Sequence, residues 1–126
     1  MKTTEMVMNY LKEQGLMPAF DEDNDVKFKF NMLTFYFFNN DDDERYFRMG
    51  LPNIYDVTED NRIAVLEAVN EVNKVYKVAK VMVVRDSVWI ATEMLMDTTP
   101  VLEDFIPRLL NIMVGARKEF YDQIEG

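Results

Sequence analysis

Neither cysteine nor histidine occurs in the chain. Without thiols there is no disulfide, no thiolate metal site and no cysteine nucleophile, and such a chain fits a reducing cytoplasm, the expected location. Without imidazole, the commonest general base and the commonest zinc ligand are missing, and a Ser-His-Asp triad is impossible. The only serine, Ser87, follows Arg85 and Asp86 in a polar break between two apolar runs, where turn chemistry accounts for it. The four glycines, Gly15, Gly50, Gly115 and Gly126, belong to no glycine-rich phosphate loop. No run approaches the roughly 20 consecutive apolar residues of a membrane-spanning helix, and the segment up to Gly15 lacks the apolar core and cleavage site of a signal peptide. Positive charge is scarce: 14 Lys and Arg stand against 23 Asp and Glu, a net charge of −9. Phosphate backbones and anionic lipid surfaces are repelled by such a chain, so neither nucleic acid nor membrane is an expected partner. No enzyme, cofactor, metal or catalytic residue is expected.

What is present is core material. With 48% hydrophobic and 13% aromatic residues, the chain can build one domain over residues 1–126. A first helix is expected from about Thr4 to Gln14, with Met6, Tyr10 and Leu11 along one side and Gly15 as its left-handed terminator. Alternation from Asp25 to Phe30 places Val26, Phe28 and Phe30 on one strand face and Lys27 and Lys29 on the other. Asn31 and Met32 read as a two-residue hairpin loop, and Leu33 to Phe38, apolar on both faces, as a central strand. After a polar turn over 39–44, a third strand runs through Tyr46, Phe47, Met49 and Leu51 toward Ile54, with its ladder disturbed at Pro52. Thr58 is the expected cap of a second helix carrying Glu59 and Asp60 in its first turn and Val65, Ala68, Val69, Val72 and Tyr76 inward. Val78 to Val84 and Val88 to Met96 flank Arg85, Asp86 and Ser87 as a second hairpin. A long last helix is expected with Thr99 as cap and Pro100 first, with Leu102, Phe105, Ile106, Leu109, Met113, Phe120 and Ile124 inward, and a kink or restart at Pro107. The order α-β-β-β-α-β-β-α, with a further short strand near Phe20, specifies an α+β fold: an antiparallel sheet of five or six strands with helices packed on it.

Eight acids crowd into two turns, Asp21, Glu22, Asp23 and Asp25, then Asp41 to Glu44. The first matches three ligand positions of an EF-hand loop, but Val26 stands where glycine permits the turn and Met32 where glutamate closes the site, so the acids read as solvated turns. The sharpest apolar features are the run Phe35 to Phe38, the lone Trp89 and the ten methionines, whose soft side chains suit adaptable surfaces. Tyr36, Trp89, Met94 and Met96 are the candidates for a partner surface or a ligand pocket.

The helix Glu67 to Val75 with its Asn70 and Asn73, the strand opening at Ala79-Lys80-Val81, the hairpin into Val88-Trp89-Ile90 and the long helix ending near Phe120 together resemble the YbjN family, a bacterial group similar to type III secretion chaperones. The resemblance implies a secretion-chaperone-like fold, no enzymatic activity, a protein-interaction or regulatory role, a homodimer and a held segment of a partner protein. It carries over no binding residues; Asn70 and Asn73, three apart on one helix side, are expected to bond a neighbouring loop. The alternative is a small-molecule-sensing domain with a closed apolar pocket near Trp89 or Tyr36.

Overall fold

The computed structural model describes residues 2–126. The elements follow as α1 (Thr3–Glu13), β1 (Ala19–Phe20), β2 (Val26–Phe30), β3 (Leu33–Phe37), β4 (Tyr46–Asp56), α2 (Arg62–Val75), β5 (Ala79–Val84), β6 (Ser87–Leu95) and α3 (Ile106–Glu125), with a 3₁₀ turn at Leu102–Asp104. One antiparallel sheet results, in the order β1-β2-β3-β4-β6-β5. This is the α+β architecture expected, with six strands. Because β6 lies between β4 and β5, α2 carries the chain across the place of a strand that follows it in sequence.

Local chemistry explains most of the boundaries. Asn31 and Met32 take φ of 53° and 64°, the left-handed pair that a tight hairpin needs. In the second hairpin Ser87 opens β6 and only Arg85 and Asp86 form the loop. Helix α1 ends in a Schellman motif, in which Gly15 at φ +73° lets its own N–H reach the Lys12 carbonyl and the Leu16 N–H reach that of Leu11. Pro52 and the left-handed Asn53 lie where β4 advances four residues, Leu51 to Tyr55, while β6 advances two, Ile90 to Val88. The disturbance foreseen at Pro52 is thus a bulge, and β4 resumes its pairing beyond it.

Three expectations are corrected. Helix α1 buries Val7, Met8 and Leu11 and leaves Met6 and Tyr10 half-exposed. Its rotation is fixed by threonines: the Thr3 N–H donates to Glu44 Oε1 at 2.8 Å, and the Thr4 hydroxyl to Asn39 Oδ1 at 2.8 Å. Helix α2 starts at Arg62, not beside Thr58. Thr58 and Asn61 exchange hydrogen bonds, N–H to Oδ1 at 2.7 Å and N–H to Oγ1 at 3.3 Å, in the turn before it, which leaves Glu59 and Asp60 outside the first helical turn. The last helix begins at Ile106 with Pro107 in its first turn, so Pro107 marks the restart and Thr99 and Pro100 lie in the connection.

The core lies on one side of the sheet. Phe28, Phe35, Phe37, Phe47, Met49 and Ile90, all fully buried, meet Val7 and Leu11 of α1, Val65 and Val72 of α2, and Leu110, Met113 and Phe120 of α3. Strand parity sends the intervening side chains to the other side, which among the described residues carries no helix.

Candidate functional site

That helix-free face is built row by row from pairs in register. Lys27 lies opposite Tyr36, Tyr36 opposite Gly50, Gly50 opposite Ala91 and Ala91 opposite Lys80. The middle of this row is therefore floored by the two smallest side chains. Just past β3, Phe38 lays its ring over that floor: a Cβ built on Gly50 would come within 2.7 Å of Phe38 Cε2. Phe38 stacks on Tyr36 on one side, with centroids 6.2 Å apart and planes 12° apart, and on Trp89 on the other, at 6.2 Å and 18°. The result is a continuous strip of three half-exposed aromatic rings spanning β3, β4 and β6, with Met82 opposite Trp89 on β5. The Arg48 guanidinium sits over the Phe38 ring, 5.1 Å from its centroid.

Polar groups frame the strip. Glu93 accepts from Lys80 Nζ at 2.5 Å and from the Tyr46 hydroxyl. Lys80 chiefly, and Tyr46 next, hold the Glu93 carboxyl below the ordinary carboxylate value, while burial and this bond push the Tyr46 phenol up. On β2 the Lys29 ammonium donates to Thr34 Oγ1.

The sheet ends in β1 on one side and β5 on the other, and β5 is occupied at Val81. Val84 and Ser87 close the two-residue loop, so Val84, Met82 and Lys80 exchange backbone bonds with β6 while Ala79, Val81 and Val83 turn theirs outward. The Asn73 side chain meets Val81 there as a further strand residue would: its Nδ2 donates to the Val81 carbonyl at 2.9 Å and its Oδ1 accepts the Val81 N–H at 2.8 Å. The Ala79 N–H is taken by the Lys77 carbonyl at 2.8 Å. An extended segment cannot add to β5 at Val81 without displacing Asn73. The bond foreseen for Asn70 and Asn73 is thus made by Asn73 alone of the two, to a strand edge and not to a loop.

Of the four surface candidates, Tyr36 and Trp89 lie on the open face, joined through Phe38. Met94 shares the parity of Ile90 and Thr92 and packs, half-exposed, against the core, and Met96 is buried at 3% exposure, so neither lies on the open face. Gly50 and Arg48 are the members that sequence reasoning missed, and Phe38 was read only as part of the apolar run from Phe35, without its place over Gly50. The available signal was Gly50, since a glycine inside a strand marks a close approach of another group.

Asp21, Asp23 and Asp25 bring carboxylate oxygens within 4.8 Å of one another. Asp21 Oδ1 accepts the Asp23 and Asp25 N–H groups, each at 2.9 Å, and Asp25 Oδ1 accepts the Asn39 N–H at 2.8 Å. These bonds shape the β1–β2 turn and tie it to the turn after β3. Burial raises the pKa of Asp25. A cleft of about 360 Å³ runs between α1 and the 3₁₀ turn, lined by residues that include Met6, Asn9, Tyr10 and Leu102, and touches neither Tyr36 nor Trp89. Among the described residues no helix is long and apolar enough to cross a membrane.

Residues 2–126 match the family described as TY-Chap1, T3SS (YopN, CesT) and YbjN peptide-binding chaperone 1. No curated protein matches the chain. Among solved structures, an uncharacterized protein from Methanothermobacter thermautotrophicus superposes with a TM-score of 0.68 at 12% identity, over 98% of this chain and 96% of that one. YbjN from E. coli superposes with a TM-score of 0.69 at 7% identity, over 94% of this chain and 88% of that one. At these identities the likeness is one of fold.

Proposed function

This chain belongs to TY-Chap1, the family of T3SS (YopN, CesT) and YbjN peptide-binding chaperones, and from that membership we propose that it holds a segment of a partner protein on the open face of its sheet, with no reaction catalysed. The observation that carries this is the strip Tyr36, Phe38 and Trp89, half-exposed and stacked on the Gly50–Ala91 floor. Aromatic rings give large contact area at low entropic cost, and these three are already ordered against one another before anything binds. Asn73 at Val81, midway along the β5 edge, favours recognition by side chains on the face over strand addition there. On this reading the chain works as one domain in the cytoplasm, as a homodimer or beside a regulatory partner, and Tyr36 and Trp89 are contact residues.

Selection from an unbiased displayed peptide library tests the proposal. Enriched peptides are expected to bind the full chain, to shift the emission of Trp89, and to lose binding in Phe38→Ala and Trp89→Ala. Peptides whose affinity survives both substitutions would remove the open face from the mechanism.

A further inference from the structure

We infer that the segment held on this face is acidic, with apolar side chains interspersed; this deepens the peptide-binding reading above and rests on it. The chain carries −9 overall, yet the helix-free face reverses that balance. Register places Lys27 and Lys29 of β2, Arg48 of β4 and Lys80 of β5 on it. The acids among its strands are Glu93, already engaged by Lys80 and Tyr46, and Asp56 at the far end of β4 beyond the bulge.

Two of the four cations are uncompensated. Among the described residues the ion pairs are Lys74–Glu71, Lys80–Glu93 and Lys118–Asp122, and Arg48 lies opposite Glu93 and favours its charged form, whereas Lys27 and Lys29 have no carboxylate at contact distance. Lys27 and Lys29 are exposed, and Lys27 sits directly opposite Tyr36 at the head of the aromatic strip. From β2 to β6 is three strand spacings, about 14 Å, which an extended peptide crosses in about four residues. A segment along that line meets cations at β2, rings at β3 to β6, and Arg48 between them. An acid that meets Lys27 and an apolar residue two positions on that meets the rings, both on the side of the segment turned to the sheet, match this pattern. Single-stranded nucleic acid also combines negative charge with stacking groups, but the middle ring already has the Arg48 guanidinium over its face.

The test uses the full chain and three probes: a synthetic peptide of Glu-Glu-Leu-Phe repeats, which in extended form shows both acids and apolar residues on each side, its twin with Lys at every Glu, and a single-stranded oligothymidylate. Binding is read by Trp89 emission and by calorimetry. The acidic peptide is expected to bind about tenfold or more tighter than its twin and to weaken as salt is raised, because these contacts are exposed. The double variant Lys27→Glu, Lys29→Glu, altered only at exposed positions, should lose about tenfold or more for the acidic peptide and gain for the twin. Equal binding of the two peptides, abolished in Phe38→Ala, would overturn the acidic preference and leave the peptide-binding face standing. Tighter binding of the oligothymidylate, or no binding of the acidic peptide, would also overturn it. So would a Trp89 shift on raising protein concentration alone, matched by a dimer in sedimentation, which would assign the face to a second copy of the chain.

Discussion

Replacing Gly50 by alanine should destabilise the chain, against the usual direction of that substitution. In an unobstructed strand the change is worth about 0.5–1 kcal/mol in favour of alanine, which loses less conformational freedom on folding. Here the new Cβ would lie 2.7 Å from Phe38 Cε2, 3.2 Å from its Cζ and 3.4 Å from the Ile90 carbonyl oxygen. The backbone is held between β3 and β6, so the half-exposed Phe38 ring has to swing away. It then leaves two aromatic stacks, each worth about 0.5–1.5 kcal/mol beyond area, and the Arg48 contact, worth about 0.5–1. Set against the gain from alanine, the net loss is about 1–3 kcal/mol. Urea unfolding should show a lower midpoint at unchanged slope, and Trp89, the sole tryptophan, should report a wetter environment. The decisive measurement is a double-mutant cycle with Phe38→Ala, in which the obstruction is gone and Gly50→Ala should become neutral or stabilising. The same effect in both backgrounds would refute the seating of Phe38 on Gly50.

Asn73→Ala removes two hydrogen bonds from Val81 and should cost about 1–2 kcal/mol, speed hydrogen exchange at the Val81 amide and, by opening the β5 edge, raise self-association; unchanged exchange there would contradict the edge lock. Val78 is β-branched yet held at φ +73°, so Val78→Gly should stabilise by about 1 kcal/mol in thermal unfolding, and a lower melting temperature would show that its side chain contributes more than the strain. Glu93 has a folded pKa below its ordinary 4.5, so its stabilisation is present above that value and is lost as pH falls through the folded value. With a partly exposed pair the effect is under about 1 kcal/mol; the acid limb of the stability profile should be shallower in Glu93→Gln, and an identical limb would exclude the Lys80–Glu93 contact as a contributor.

Where periodicity and turn chemistry act locally, the fold was legible. The alternation of Val26 to Phe30, the Asn31-Met32 hairpin, Gly15 and the disturbance at Pro52 all follow from residues within a few positions of one another. Misreadings arose where two local signals competed and a distant contact chose. Helix α1 offers both a Met6–Tyr10 stripe and a Val7–Leu11 stripe, and the bonds of Thr3 and Thr4 to the 39–44 turn select the second. Pro100 and Pro107 are both plausible first residues of a helix, and packing of Ile106 and Leu110 into the core selects Pro107. At the site, strand parity already separates Trp89 from Met94. The bridge through Phe38 was not legible, because it depends on which residue β4 places beneath the ring, a fact of register between strands.

The placement of β6 also sets the order in which the chain can assemble as it is made. Phe47 meets Phe105 edge to face, and every strand pair of β4 beyond those with β3 awaits residues 87–95. The first hairpin can close from neighbouring residues, but β4 must remain half-paired until the chain has run through α2 and out to the edge strand and back. Its apolar residues Phe47, Met49 and Leu51 are uncovered throughout that interval. A protein of this topology passes through its own synthesis as an exposed strand and is vulnerable to mispairing until its last third emerges. Fragments released from the ribosome that end before Ser87 should be protease-sensitive at β4, and the released chain of 126 residues should not.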